Sequence, residues 1–208
     1  MYTLYYSPGS CALIIHALLE EFGVPFEVKR VDAGTKEEYK RTVNAKGKVP
    51  ALATPDGVLT ECVALVEYLC DRHGDGELLG KPGTWQRART LERIATLATE
   101  VHPLFNRFFH EDDFSESKDV QQGVKKRGTE KLAAYFREQD AHLTRPFWSG
   151  DSLTAADFYF TVVARWGRWL DPPANEMRNI RPFYERMIAR PSFARAMQRE
   201  GIKAFGTT

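Results

Sequence analysis

Strand-forming sequence in this 208-residue chain is confined to its first third, and that asymmetry limits the fold more than any other feature. Residues 2–6 are aromatic and β-favouring, and Pro8-Gly9 stops them. From Cys11 onward Ile14, Ala17, Leu18 and Phe22 recur at helical spacing until Gly23-Val24-Pro25. Residues 26–31 read as a second strand and 37–43 as a short helix. Residues 51–54 and 58–60 flank Pro55-Asp56-Gly57, a hairpin signal. Val63, Val66, Leu69 and Cys70 predict a helix ending near Gly74. The order is βαβαββα. The leading βαβ unit should be parallel with a right-handed crossover, and the hairpin antiparallel. A mixed four-stranded sheet with helices on both faces is expected over residues 1–76.

The stretch GDGELLGKPG, residues 74–83, reads as a linker, and no strand signal follows it. Residues 85–109 carry Leu91, Ile94, Ala98, Val101 and Phe105 at helical spacing, with Pro103 expected to kink them. Residues 120–143 predict a helix through Val124, Leu132, Tyr135 and Phe136. Thr154-Ala155-Ala156-Asp157 has capping-box spacing, with Asp where Glu is usual. It should open a helix with Phe158, Val162, Trp166 and Trp169 on its inner face. Shorter helices follow at 182–188 and 193–197. Residues 84–208 therefore predict an all-α second domain behind an α+β first one.

Composition narrows the function. Lys and Arg number 29 and Asp and Glu 28, which argues against a chain built to neutralise nucleic-acid phosphates or an anionic membrane. No apolar run reaches transmembrane length, and MYTLYYSPGS lacks the regions of a signal peptide. Cys11, Cys62 and Cys70 are an odd, sparse set, which points to a reducing cytoplasm rather than a disulfide framework. His73, His110 and His142 are scattered and no C-x-x-C or H-E-x-x-H occurs, so no metal is expected. Nucleotide-binding glycine fingerprints are absent as well.

Four places carry possible chemistry. Cys11 follows Ser7-Pro8-Gly9-Ser10 at a strand-to-helix junction, where unpaired N–H groups and the helix dipole favour thiolate over thiol. A small buried apolar residue is the equal alternative. His16 lies five helical residues on and should point away from Cys11. Gly47-Lys48-Val49-Pro50 precedes a strand, and Pro50 reads either as an edge proline or as a cis proline turning Val49 outward. Thr60-Glu61-Cys62 is another helix start, suited to the ammonium and carboxylate of an amino-acid end or simply to dipole compensation. His102, with Phe105 and Phe109, is either a core histidine or a proton carrier beside an apolar wall.

Taken together, YYSPGSCAL, NAKGKVPAL, LTECVALVEYL and GDSLTAADFYF followed by Arg165-Trp166 resemble bacterial cytosolic glutathione transferases, most closely the beta class. The blocks span nearly the whole chain in the family's order. The resemblance implies a thioredoxin-like first domain, an all-α second domain, a homodimer, and glutathione as co-substrate. It implies conjugation of glutathione to hydrophobic electrophiles, with thiol–disulfide exchange or peroxidase activity through Cys11 as related outcomes. A non-catalytic ligand-binding or interaction protein of the same fold is the alternative. Residue by residue, it implies Cys11 and His102 as catalytic. It puts Tyr6, Lys36, Lys48, Val49, Pro50, Glu61 and Cys62 against glutathione. Phe105, Phe109 and Trp166 form the hydrophobic substrate wall. Cys62 departs from the Ser or Gly usual there, and Ala95 from a frequent Asn.

Overall fold

The computed structural model describes residues 1–205. Four strands, β1 (Tyr2–Tyr6), β2 (Phe26–Arg30), β3 (Ala51–Thr54) and β4 (Gly57–Thr60), form one sheet in the order β2-β1-β3-β4. β1 and β2 run parallel; β1–β3 and β3–β4 are antiparallel. Period-2 alternation in β1 buries Tyr2, Leu4 and Tyr6 on one face and leaves Thr3 and Tyr5 on the other. Helices α1 (Ala12–Glu21) and α3 (Cys62–His73) cover the Leu4 face. Helix α2 (Lys36–Thr42) covers the opposite face, where Tyr39 packs with Val31, Ala51 and Tyr5.

The remaining helices among the described residues are α4 (Trp85–Thr96), α5 (His102–Phe109), α6 (Lys118–His142), α7 (Ala155–Trp166), α8 (Ile180–Ile188) and α9 (Pro191–Glu200). One apolar core runs from Leu4 and Ile14 through Leu97 and Phe105 to Phe158 and Phe193. This explains why residues Ala12 to Leu19 of α1 are all buried: the sheet and α3 pack on one side, and α7 and α9 on the other. All of α7 is buried for the same reason. Its capping box forms as the sequence predicts. The Asp157 carboxylate accepts from the Thr154 amide at 2.7 Å, and from the Ser149 amide at 3.0 Å.

Two sequence expectations change, and a third gains detail. Trp169 is not on the inner face of α7; the helix ends at Trp166, and Trp169 sits on a following 3₁₀ turn, 43% exposed. The break between α4 and α5 is not a simple proline kink. A π segment (Leu97–Val101) precedes Pro103. The wider π turn accommodates a ring that would collide with the carbonyl four residues back in a regular helix. The glycine-rich linker at 74–83 is anchored: Leu78 and Leu79 are buried, and the Leu78 carbonyl accepts from the Ala155 amide at 2.8 Å. Arg87 clips it to α3 by pairing with Glu67 and Asp71 while donating to the Gly80 carbonyl.

Candidate active site

A cleft of about 810 Å³ opens between the sheet edge and α5. Its floor is made by two helix starts. Cys11 caps α1, half-buried, and its Sγ donates to the Val49 carbonyl at 3.4 Å. The first α1 amides are partly engaged locally: Ala12 N–H reaches Ser10 Oγ at 3.3 Å and Leu13 N–H the Ser10 carbonyl at 3.1 Å. Cys62 opens α3 with its Sγ 4.0 Å from the Cys11 carbonyl oxygen. The neighbouring Cys11 side chain and burial together push the Cys62 thiol well up. It is a proton-bearing thiol at neutral pH.

The Val49–Pro50 peptide is cis, so the residue-level alternative of a trans edge proline does not hold. The turn before it is fixed by two donors on one acceptor. The Tyr39 hydroxyl and the Asn44 amide both reach the Lys48 carbonyl, at 2.6 and 2.8 Å. Glu61 adopts φ +70°, a left-handed conformation that an L side chain reaches only at a steric cost. No side chain caps α3. The Glu61 carboxylate pairs with Lys46 at 3.1 Å, and Lys36 and Lys48 line the same cleft.

His102, on the opposite wall, bonds the Tyr159 hydroxyl through Nδ1 at 3.0 Å and packs against Trp166. Burial, and secondarily Lys48, hold the imidazole below its ordinary value, so it is neutral at pH 7 and able to accept a proton. Burial and the two nearby thiols raise Tyr159 far above a free phenol. It is a neutral hydroxyl throughout the physiological range.

A second cavity of about 410 Å³ adjoins the first, lined by Phe105, Phe109, Trp166, Trp169 and Arg168. The two share Cys11, His102, Asn106 and His110. The loop carrying Cys11 is held by distant groups. Gly9 N–H donates to Glu200 Oε2 at 2.8 Å, and Trp166 Nε1 donates to the Gly9 carbonyl at 2.8 Å. Gly9 has φ +70°, which favours glycine, and a Cβ there would come within 2.8 Å of Arg165 Nη1 and require that guanidinium to shift.

Of the residues singled out from sequence, Cys11, Lys36, Lys48, Val49, Pro50, Glu61, Cys62 and His102 line the larger cleft. Phe105, Phe109 and Trp166 line the smaller one. Tyr6 lines neither: as an inward position of β1 it is buried, with its ring 6.0 Å from that of His16. His16 indeed points away from Cys11, bonded to Glu200 at 2.9 Å. Tyr159, Asn106, His110 and Arg168 were not legible as site residues. Asn106 and His110 follow His102 at four-residue steps, a face that could have been extended. Nothing local marks Tyr159 or Arg168.

The Glutathione S-transferase N-terminal domain model matches residues 1–71, and the C-terminal domain model residues 94–191. The chain belongs to the glutathione S-transferase family. It is 35% identical over 209 residues to the Escherichia coli glutathione S-transferase GstA, covering 96% of this chain and 99% of that protein. A sphingomonad glutathione S-transferase solved with glutathione superposes with a TM-score of 0.84 at 28% identity, over 97% of this chain and 100% of that one. A beta-class transferase from Sphingomonas chungbukensis gives the same TM-score of 0.84 and identity of 28%, again over 97% of this chain and 100% of that one. The expected beta-class-like assignment, the fold of an α+β sheet domain followed by helices, and the transferase enzyme class hold. Among the described residues no helix is long and apolar enough to cross a membrane, and no cluster of three or more His, Cys, Asp or Glu is arranged to hold a metal ion.

Proposed function

We propose that glutathione occupies the 810 Å³ cleft with its sulfur at Cys11, and that a hydrophobic electrophile occupies the adjoining cavity. The observation that carries this reading is the junction: both spaces open on Cys11 and His102, so a thiol in one meets a carbon in the other. The γ-glutamyl carboxylate faces the uncapped start of α3, and its ammonium faces Glu61. The cysteinyl amide pairs with the Val49 backbone, and Lys36 and Lys48 meet the remaining carboxylate. Neutral His102 accepts the thiol proton as the C–S bond forms, and the leaving group departs with the bonding pair.

Thiol–disulfide exchange at Cys11 is the second reading, favoured by the half-buried Sγ at that junction. The homodimer and the cytoplasmic location belong to the same proposal. Glutathione titration, mass spectrometry of Cys11 and turnover of a chloro-nitro aromatic by wild type and Cys11→Ala test it. Conjugation that survives Cys11→Ala while disulfide reduction disappears confines Cys11 to redox chemistry. Absence of glutathione binding and of any adduct overturns the reading. Binding without turnover across several electrophiles favours the carrier alternative.

A further inference from the structure

The electrophile cavity carries one permanent charge, and among the described residues no carboxylate pairs with it. Four aromatic rings line the space, and no carboxylate side chain does. Arg168 enters it from the 3₁₀ turn behind α7 (Gly167–Trp169), with its guanidinium carbon 5.0 Å from the Trp169 ring centre. One N–H donates to the Arg165 carbonyl at 2.9 Å, while Nε is buried without a partner. No ion pair to Arg168 occurs among the described residues, whereas the similarly recessed Arg87 holds Glu67 and Asp71, and Arg190 holds Glu21. Burial, with Arg165 beside it, lowers Arg168 to about 10. It remains a cation at neutral pH, in surroundings that disfavour its charge.

A recessed cation without a partner is unfavourable, and an anion brought by a ligand relieves it. The planar guanidinium fork suits a carboxylate, and the flanking rings suit an apolar body. We propose that this cavity selects electrophiles that join an aromatic or otherwise apolar body to a carboxylate, with Arg168 as the residue that sets the preference. The inference rests on the reading that the cavity holds the electrophile.

Trp166 and Trp169 line the cavity, so their fluorescence reports occupancy independently of turnover. The test titrates wild type, Arg168→Met and Arg168→Lys with 4-chloro-3,5-dinitrobenzoate and with its methyl ester. It then measures kcat/KM for both with glutathione, normalised to the uncatalysed rate. Wild type should favour the carboxylate. The carboxylate-to-ester affinity ratio should fall about tenfold or more in Arg168→Met, equivalent to about 1.4 kcal/mol. Arg168→Lys should keep most of it, and the kinetic change should appear in KM. Using a ratio within each variant removes any loss of folded protein. A ratio that stays within twofold of wild type in Arg168→Met, or a wild type that favours the ester, overturns the proposal even when conjugation proceeds. An Arg168-dependent preference without turnover of either compound upholds the charge selection and overturns only the reading that this cavity presents such electrophiles to glutathione.

Discussion

Glu200 ties the close of α9 to the loop bearing Cys11 and should control it. Its side chain is buried at the close of α9; one oxygen accepts from Gly9 N–H at 2.8 Å and the other bonds His16 Nδ1 at 2.9 Å. Glu200→Ala removes the partner of both groups at once: His16, whose side chain is fully buried, and the part-buried Gly9 N–H. At about 1–3 kcal/mol for each abandoned group, the loss is about 4 kcal/mol. For a chain of this size the melting midpoint should then fall by roughly 8–16 °C. Glu200→Gln keeps one acceptor oxygen and turns an amide towards the other partner, so about half of that loss is expected. Catalysis should fall beyond the stability effect, since Gly9 precedes Cys11 by two residues and a displacement of about 1 Å costs on the order of 100-fold. Urea denaturation with an unchanged m-value, beside kcat/KM measured well below the midpoint, provides the assay. Glu200→Ala within 1 kcal/mol of wild type, with kcat/KM within about twofold, would refute the clamp.

Two other outcomes follow from particular contacts. His102 is held below its ordinary 6.5 by burial and Lys48, so the unfolded chain binds its proton more tightly than the folded one. The stability it contributes is complete above 6.5 and is lost as pH falls below 6.5 and through the lowered folded-state value. His102→Gln should therefore flatten the acid side of the Tm–pH curve, while the same-signed slope from His73, lowered by burial and Arg72, remains. Gly167 has ordinary helical backbone angles, yet a Cβ there would lie 2.4 Å from Ala174 Cβ and 3.0 Å from Phe136 Cε2. Gly167→Ala should destabilise by about 1–3 kcal/mol through overpacking alone, visible in chemical denaturation.

The parts of the site that the sequence revealed are those built from neighbours in the chain. A helix start is a local event, so Cys11 and Glu61-Cys62 stood out at their junctions, as did the Thr154–Asp157 cap. The aromatic wall followed from period-3.6 spacing, which carried His102, Phe105 and Phe109 to one face. Tyr6 lines neither cavity; alternation in a strand is clear, while the side that faces the cleft is not. Burial on the α1 side of the sheet took it away from the cavity. Trp169 failed because helical periodicity was carried past Trp166, where the helix stops. Composition marked the segment at 74–83 as a connection, but not the Leu78–Ala155 bond that anchors it.

Sequence alone determined the order of strands and helices, the change from mixed sheet to helices after residue 83, and the helix starts that cradle the thiol. These depend on backbone propensity and on side-chain period, both set within a few residues. Tertiary structure decided what surrounds those elements. It brought Glu200 to Gly9 across 191 residues and Trp166 to the same glycine across 157. It set His102 against Tyr159 and placed Arg168 among rings, with no ion pair to it among the described residues. Burial, desolvation and charge act through space rather than along the chain. The protonation of His102 and Cys62, and the charge preference proposed for the smaller cavity, therefore depend on the two halves packing into one core.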